Sequence, residues 1–431
     1  MISRRTVREY AAGSLWVWPT FWALLALVAG AALSQVVIDP SSRFARLAFQ
    51  GTADDARSLL TTIASTVVTV IALVLGLTVV ALQLSSTQFS PRLLRNFLRD
   101  RATQRVLSVY LATFTYSAAG LYTVGVAGGG RVEDFPRLAV SGALVLLFVT
   151  LGVVVYFADH LAHSIQVDAL TEAVQSNTLA VIENKPGTAE DPTPEPPSWA
   201  VAIPATRSGY LQAAHPKLLL PLASEQKVCV LLRRRVGQHV VAGTTLAWVW
   251  RPSVDDPRLD PATFERPVNE MVNIGFERTL EQDAAFGIRQ LVDMACKALS
   301  PAVNDPYTAV QAVDHLSVIF CALAARPLGD DLAVDGAGRS RVIVPCRRFA
   351  DYLATMCGLI RRYGASEPTV AVALLRLLDD CLTVARDDPV RVTAIEQEVA
   401  LILADAESAV KQPHDLEMVR ASAAAIRRRL E

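Results

Sequence analysis

Apolar residues crowd into four long runs within the first 160 positions: Leu15–Ile38, Thr61–Leu84, Val106–Val126 and Leu138–Ala158. Each is long enough to cross a hydrocarbon core as a helix, at a rise of about 1.5 Å per residue. None of the last three contains a charged side chain. Arg4, Arg5 and Arg8 precede the first run, as in a signal peptide, but the run is too long and has no small-residue cleavage site. Trp16, Trp18 and Trp22 near its start suit the aromatic belt of a membrane interface.

The turn between the second and third runs reads STQFSPRLLRNFLRDRATQRV and carries Arg92, Arg95, Arg99, Arg101 and Arg105. The flanking loops, Asp39–Leu60 and Gly128–Arg137, mix both signs of charge. Basic loops stay on the cytoplasmic side. The pattern therefore predicts a four-helix transmembrane domain over residues 1–165 with both termini in the cytoplasm. The arginine turn then meets anionic lipid headgroups, each basic residue contributing about 1 kcal/mol.

Within the second run, Ser65, Thr69, Ala72, Gly76, Val79, Gln83 and Ser86 recur in steps of four and three, which places them on one helical face. Small and hydroxyl side chains on one face serve close helix packing. They also serve as the lining of a water-filled path, in which hydroxyls and backbone solvate the permeant species. No carboxylate lies within the runs, which argues against a proton-coupled pump. At the end of the fourth run, His160 and His163 stand one turn apart, two ligands where zinc wants three or four. No metal or other cofactor is expected.

Beyond position 165 the patterning becomes that of a water-soluble protein. Residues 166–199 read as a helical stalk followed by a proline-rich linker, NKPGTAEDPTPEPPS over 184–198. Residues 200–265 carry short β-prone runs punctuated by turns, similar to the barrel-sandwich of biotinyl and lipoyl carriers but without their lysine hairpin. Residues 266–431 read as a mostly helical cytosolic domain, with a Gly/Asp-rich loop at Gly329–Arg339. The expected fold class is thus mixed: transmembrane helices, then an α+β region. A net charge of −1 supplies no general field for nucleic acid. All six cysteines lie in the second half without zinc-like spacing, which suits a reducing compartment. P-loop, G-x-S-x-G and H-E-x-x-H motifs are absent, so nothing here assembles an enzyme.

The densest polar stretch is GFERTLEQDAAFGIRQLVDMACKALSPAVNDPYTAV. Thr279-x-x-Gln282 predicts a capping box, and Asp305-Pro306 predicts the N-cap and first residue of a second helix. Arg278, Asp283, Asn304, Asp305 and Thr308 form the candidate ligand or interface cluster, on the expectation that two helix N-termini lie close together. Arg278-Thr279-x-x-Gln282-Asp283, Phe286-Gly287-Ile288-Arg289-Gln290-Leu291-Val292 and Ala298-Leu299-Ser300-Pro301-x-x-Asn304-Asp305-Pro306-x-Thr308-Ala309 carry a resemblance to a family of predicted bacterial membrane proteins, domain of unknown function family 2254. The run Gln88–Phe97, Phe157-x-x-His160 and Ser208-Gly209-Tyr210 are similar to it as well. The resemblance implies a bacterial cytoplasmic-membrane protein and brings no catalytic residues. Ala158-Asp159-His160 departs from the family's paired-histidine or aliphatic exit, which weakens a metal there. Two functions stay open: a homo-oligomeric channel or transport protein with a cytosolic regulatory module, and a membrane-anchored ligand-binding, sensor or scaffold protein without a pore.

Overall fold

The computed structural model describes residues 16–34, 48–88, 101–126, 137–164, 167–185, 188–254 and 259–430. The chain divides into two compact units, residues 1–169 and 170–431.

The first unit is helical: α1 (Val17–Leu33), α2 (Ala53–Gln88), α3 (Arg101–Val126) and α4 (Arg137–Ser164). Ala56, Leu60, Ile63, Val67 and Val74 form the buried face of α2, and their spacing of three, four and seven follows the helical repeat. They pack on α3, the central helix, which touches all three others. The outward faces are apolar: Leu73, Leu75 and Leu77 on α2, and Val145, Phe148 and Leu151 on α4, are exposed. Contiguous exposed apolar surface of this kind marks contact with lipid or another protein.

Three described helical stretches are long and apolar enough to cross a membrane: Ala53–Ala81, Arg137–His163 and Pro306–Ala324. The third has a mean hydropathy of 1.3 against 2.5 and 2.7 for the others. It belongs to the second unit, where Ala309, Val313, Leu316 and Phe320 are buried among other helices. Two of the expected spans fall below this threshold. Helix α1 is too short over its described 17 residues. Helix α3 is diluted by polar side chains, and Thr103, Gln104, Ser108, Thr113 and Ser117 are buried inside the unit.

The second unit opens with α5 (Val167–Glu183), followed by β1 (Val201–Pro204), β2 (Gly209–Ala214), α6 (Pro216–Glu225), β3 (Cys229–Leu232), β4 (His239–Val240) and β5 (Thr245–Trp250). Next come α7 (Pro261–Glu270), β6 (Val272–Gly275), α8 (Ala284–Ala298), α9 (Pro306–Ala324), β7 (Asp331–Val334) and β8 (Ser340–Val344). Helices α10 (Phe349–Tyr363), α11 (Pro368–Ala385), α12 (Pro389–Ala409) and α13 (Pro413–Leu430) close the chain. One sheet has the order β1-β5-β3-β8-β7 and the other β4-β2-β6. The pairs are antiparallel except β3 with β8, which run parallel with Val230 opposite Val342.

Strands from 200–265, expected as a barrel-sandwich-like unit, are thus divided between two sheets, and both sheets take strands from 266–431. The expected loop at Gly329–Arg339 contains β7. Ile203, Leu211, Val230, Leu246, Phe264 and Val342 are buried in the core shared by the strands, α6 and α7.

The proline-rich stretch is no slack tether. Thr188 Oγ1 donates to Asp330 O at 2.6 Å and Thr193 Oγ1 to Asp330 Oδ2 at 2.6 Å. Leu328 N donates to Glu190 Oε1 at 2.8 Å, and Arg348 Nη2 to Asp191 O at 2.6 Å. Arg391, buried among the helices, pairs with Glu190. Prolines suit such a strap, because an extended chain offers its carbonyls outward and loses little entropy on docking. A Cβ on Gly329 would lie 1.9 Å from Ala189 O, so only glycine admits the strap there.

Candidate ligand cavity

Parallel pairing of β3 and β8 brings their carboxyl ends together, and the chain segments that leave them wall a cavity of about 330 Å³. Arg235 and Val236 follow β3; Val344, Pro345, Cys346 and Arg347 follow β8. Asp331 opens β7, Lys185 closes the turn after α5, and Glu281, Gln282 and Asp283 lead into α8. The carboxyl ends of parallel strands are where open α/β sheets place ligands, because the loops diverge there.

Charged side chains of both signs stand in the walls: Lys185, Arg235 and Arg347 beside Glu281, Asp283 and Asp331. Arg278 directs Nε and Nη2 onto one oxygen of Asp283, Oδ2, at 2.9 and 2.7 Å, and its guanidinium lies 5.2 Å from the Phe286 ring centre. Burial pushes the Asp283 carboxyl above its usual range, against the pull of Arg278 and Arg347. Arg235 pairs with Asp351 at the start of α10. Lys185 Nζ donates to Cys346 Sγ at 2.8 Å. Burial also raises Asp331, against Lys185, Lys217 and His215, and raises the Tyr352 hydroxyl at the cavity wall. Arg347 differs from its neighbours: its Nε is buried without a hydrogen-bond partner. A buried donor left unpaired costs about 1–3 kcal/mol, more when charged, so such a group invites an acceptor.

Gly237, next to the lining residue Val236, lies against the Arg278–Asp283 pair. Its φ of +87° lies where side chains are strained, and a Cβ there would sit 2.1 Å from Asp283 Oδ2. The turn therefore packs its bare backbone on the Arg278–Asp283 pair.

The expected cluster is split. Arg278 and Asp283 stand beside the cavity, at the start of α8. Asp305 and Thr308 sit at the start of α9, beyond the far end of α8, whose 15 residues span about 22 Å. Helices joined by a short turn run back along each other, which sends their N-termini to opposite ends. Asp305 Oδ1 accepts from Thr308 N at 3.1 Å and Oδ2 from Thr308 Oγ1 at 2.6 Å, the predicted cap. These bonds lower the Asp305 carboxyl. Asn304 takes φ +52° in the turn, a left-handed conformation that asparagine tolerates. The capping box at Thr279 and Gln282 does not form: Gln282 Oε1 instead accepts from Ala214 N at 2.9 Å, and Thr279 Oγ1 is buried without a partner. Asp283 takes the N-cap position of α8 without a side-chain cap bond.

In the first unit, Ser65, Thr69, Gly76 and Gln83 are exposed along α2, opposite its buried face. Ser65 Oγ donates to Thr62 O at 3.0 Å and Thr69 Oγ1 to Ser65 O at 3.0 Å, so both hydroxyls bond their own helix. The side chains of Ser86 and Arg101, together with Arg92, Arg95 and Arg99, lie outside the described residues; Arg105 is exposed on α3. His160 stacks on Tyr156 with centroids 6.0 Å apart, and His163 Nδ1 lies 2.9 Å from Asp159 O. Among the described residues no group of three or more His, Cys, Asp or Glu side chains gathers as a metal requires.

Sequence reasoning did not find Lys185, Arg235, Cys346 or Arg347. Their only local signal is position, since Arg235 and Arg347 each follow a β-prone apolar run within a few residues.

A 42% identical protein of Mycobacterium bovis, described as uncharacterized, aligns over 98% of this chain and 81% of its own length. An uncharacterized protein of Mycobacterium tuberculosis aligns with the same identity and coverage. No solved structure matches the chain. The family model described as "Predicted membrane protein (DUF2254)" matches residues 12–380, and with the apolar helices and the near full-length relatives this establishes that the chain is a membrane protein belonging to that family.

Proposed function

We propose that the chain is a four-span protein of the bacterial cytoplasmic membrane, with both termini in the cytoplasm, whose 170–431 unit binds a small anionic ligand in the cavity at the ends of β3 and β8. The observation that carries this reading is Arg347, whose buried Nε lacks a partner while Lys185 and Arg235 share the same cavity. Guanidinium and ammonium groups lining a concave site suit carboxylate or phosphate, and here they stand beside the carboxylates Glu281, Asp283 and Asp331. The apolar outward faces of α2 and α4 supply the anchor, and α1 and α3 complete the four spans. The test uses full-length protein in detergent, titrated with succinate and with inorganic phosphate while thermal unfolding is followed. One of the two raises the midpoint of the wild type and leaves Arg347→Ala unmoved. Equal shifts in both proteins, or none in either, overturn the reading.

A homo-oligomeric channel lined by α2 is a second reading, favoured by the exposure of Ser65, Thr69, Gly76 and Gln83 on a face that the unit's other helices do not cover. Ion flux into liposomes, together with a ring-forming stoichiometry, supports it; a monomer without conductance in any salt removes it.

A further inference from the structure

The cavity at the ends of β3 and β8 holds charges of both signs, and several already have partners. Arg235 pairs with Asp351, and Asp283 with Arg278. Glu281 is exposed to solvent, which screens it. Three lining groups remain. Arg347 Nε is buried without a hydrogen-bond partner, and Lys185 donates to Cys346 Sγ, a weak acceptor that leaves the ammonium with donors to spare. Asp331 is the third. It is half-buried, and among the described residues its carboxylate accepts no hydrogen bond and touches no cation.

The fold sets these groups together. β7 and β8 run antiparallel with Asp331 opposite Val344, so the first residue of β7 stands beside the last of β8, three positions before Arg347. Cys346 N donates to Asp330 Oδ1 at 3.0 Å, which holds the segment carrying Arg347 along the start of β7. Arg326 Nη2 donates to Lys185 O at 2.9 Å and fixes the backbone of the other cation. Two cations and one carboxylate, all without a strong partner, therefore line one space of about 330 Å³.

A simple anion answers only the cations. Seating a dicarboxylate or phosphate beside Asp331 adds a like charge in a partly desolvated site and leaves that carboxylate unpaired. Burial already raises Asp331, against Lys185, Lys217 and His215, as befits a carboxylate that has lost water without gaining a donor. A ligand that carries an ammonium as well as carboxylates matches all three groups. We propose that the ligand of this cavity is an acidic amino acid, with its carboxylates on Arg347 and Lys185 and its ammonium on Asp331. Such a ligand is still a net anion, so the proposal narrows the anion-binding reading and rests on it.

The experiment compares acids that differ only by the ammonium: L-aspartate with succinate, and L-glutamate with glutarate. Each is titrated calorimetrically into full-length protein in detergent at neutral pH. At least one amino acid is expected to bind on the order of tenfold tighter than its deaminated partner, the gain of a hydrogen bond between charged groups. Asp331→Asn is expected to lose that preference and to bind succinate or glutarate at least as tightly as the wild type, because a like charge has gone. Retained binding of the plain diacid also shows that the variant is folded; should it misfold, the wild-type comparison still decides. If a diacid binds and neither amino acid binds tighter, the proposal falls and the anion-binding reading stands. A preference that survives intact in folded Asp331→Asn places the ammonium elsewhere and overturns the proposal too. If neither the acids nor inorganic phosphate bind the wild type, both readings fall together.

Discussion

Replacing Arg278 with methionine leaves the Asp283 carboxylate buried and without its main partner. The Asp283 side chain is only 3% exposed and that of Arg278 22%, so solvent compensates little. Removing one member of such a pair costs about 3–5 kcal/mol, chiefly because the remaining charge stays out of water. At roughly 2–4 °C per kcal/mol for a folded unit of this size, the midpoint of the 170–431 unit falls by about 6–20 °C. Its pH dependence tests the cause. Burial already raises the Asp283 carboxyl, so the native state holds that proton more tightly than the unfolded chain. The stabilising contribution of this group is therefore fullest below the unfolded value near 3.9, falls as pH rises to the native value, and is smallest above it. Without Arg278 the native value climbs further, so the deficit of Arg278→Met is greatest at neutral pH and narrows as pH falls toward about 5. Circular-dichroism melts of wild type and variant between those values measure it. A loss below about 1 kcal/mol at neutral pH, or a deficit that widens on acidification, refutes the reasoning.

Three further outcomes are expected. Gly237→Ala, strained at φ +87° and placed against Asp283 Oδ2, destabilises by more than about 1 kcal/mol, and its cost combines non-additively with that of Arg278→Met in a double-mutant melt. Asp305→Ala removes the α9 cap at a cost of about 1 kcal/mol. Because that carboxyl is lowered in the fold, the cap's contribution is present above the unfolded value and lost as pH falls through the native one, which the same melts at acid pH detect. Asp330→Ala deprives Thr193, Cys346 N and Arg348 of a shared acceptor; limited proteolysis should cut within 188–198 on the order of ten times faster than in the wild type, and equal rates would show that the strap is held elsewhere.

What could be read from the sequence was local. The uncharged runs at 61–84 and 138–158 announce α2 and α4, because only length and apolarity are needed. Asp305-Pro306 announces the start of α9, because a cap is decided within four residues. Relations between distant segments left no such trace. Thr279 and Gln282 have capping-box spacing, but Ala214 N, in a different strand, claims the glutamine. The stretch 184–198 has a linker's composition, and the groups that dock it, Asp330, Arg348 and Arg391, lie far downstream. The cavity escaped notice for the same reason: its walls come from five separated stretches, and neither Arg235 nor Arg347 carries a motif.

The parallel seam between β3 and β8 also bears on how the chain is made. A ribosome finishes β3 and β5 while roughly 90 residues remain before β8 emerges, a wait of about 5–20 s at ordinary elongation rates. Through that interval the nascent β3 has one edge paired with β5 and the other bare, a template for any passing strand. Premature termination before position 340 would leave that edge open for good, so truncated chains are the ones a cell's chaperones and proteases should find first.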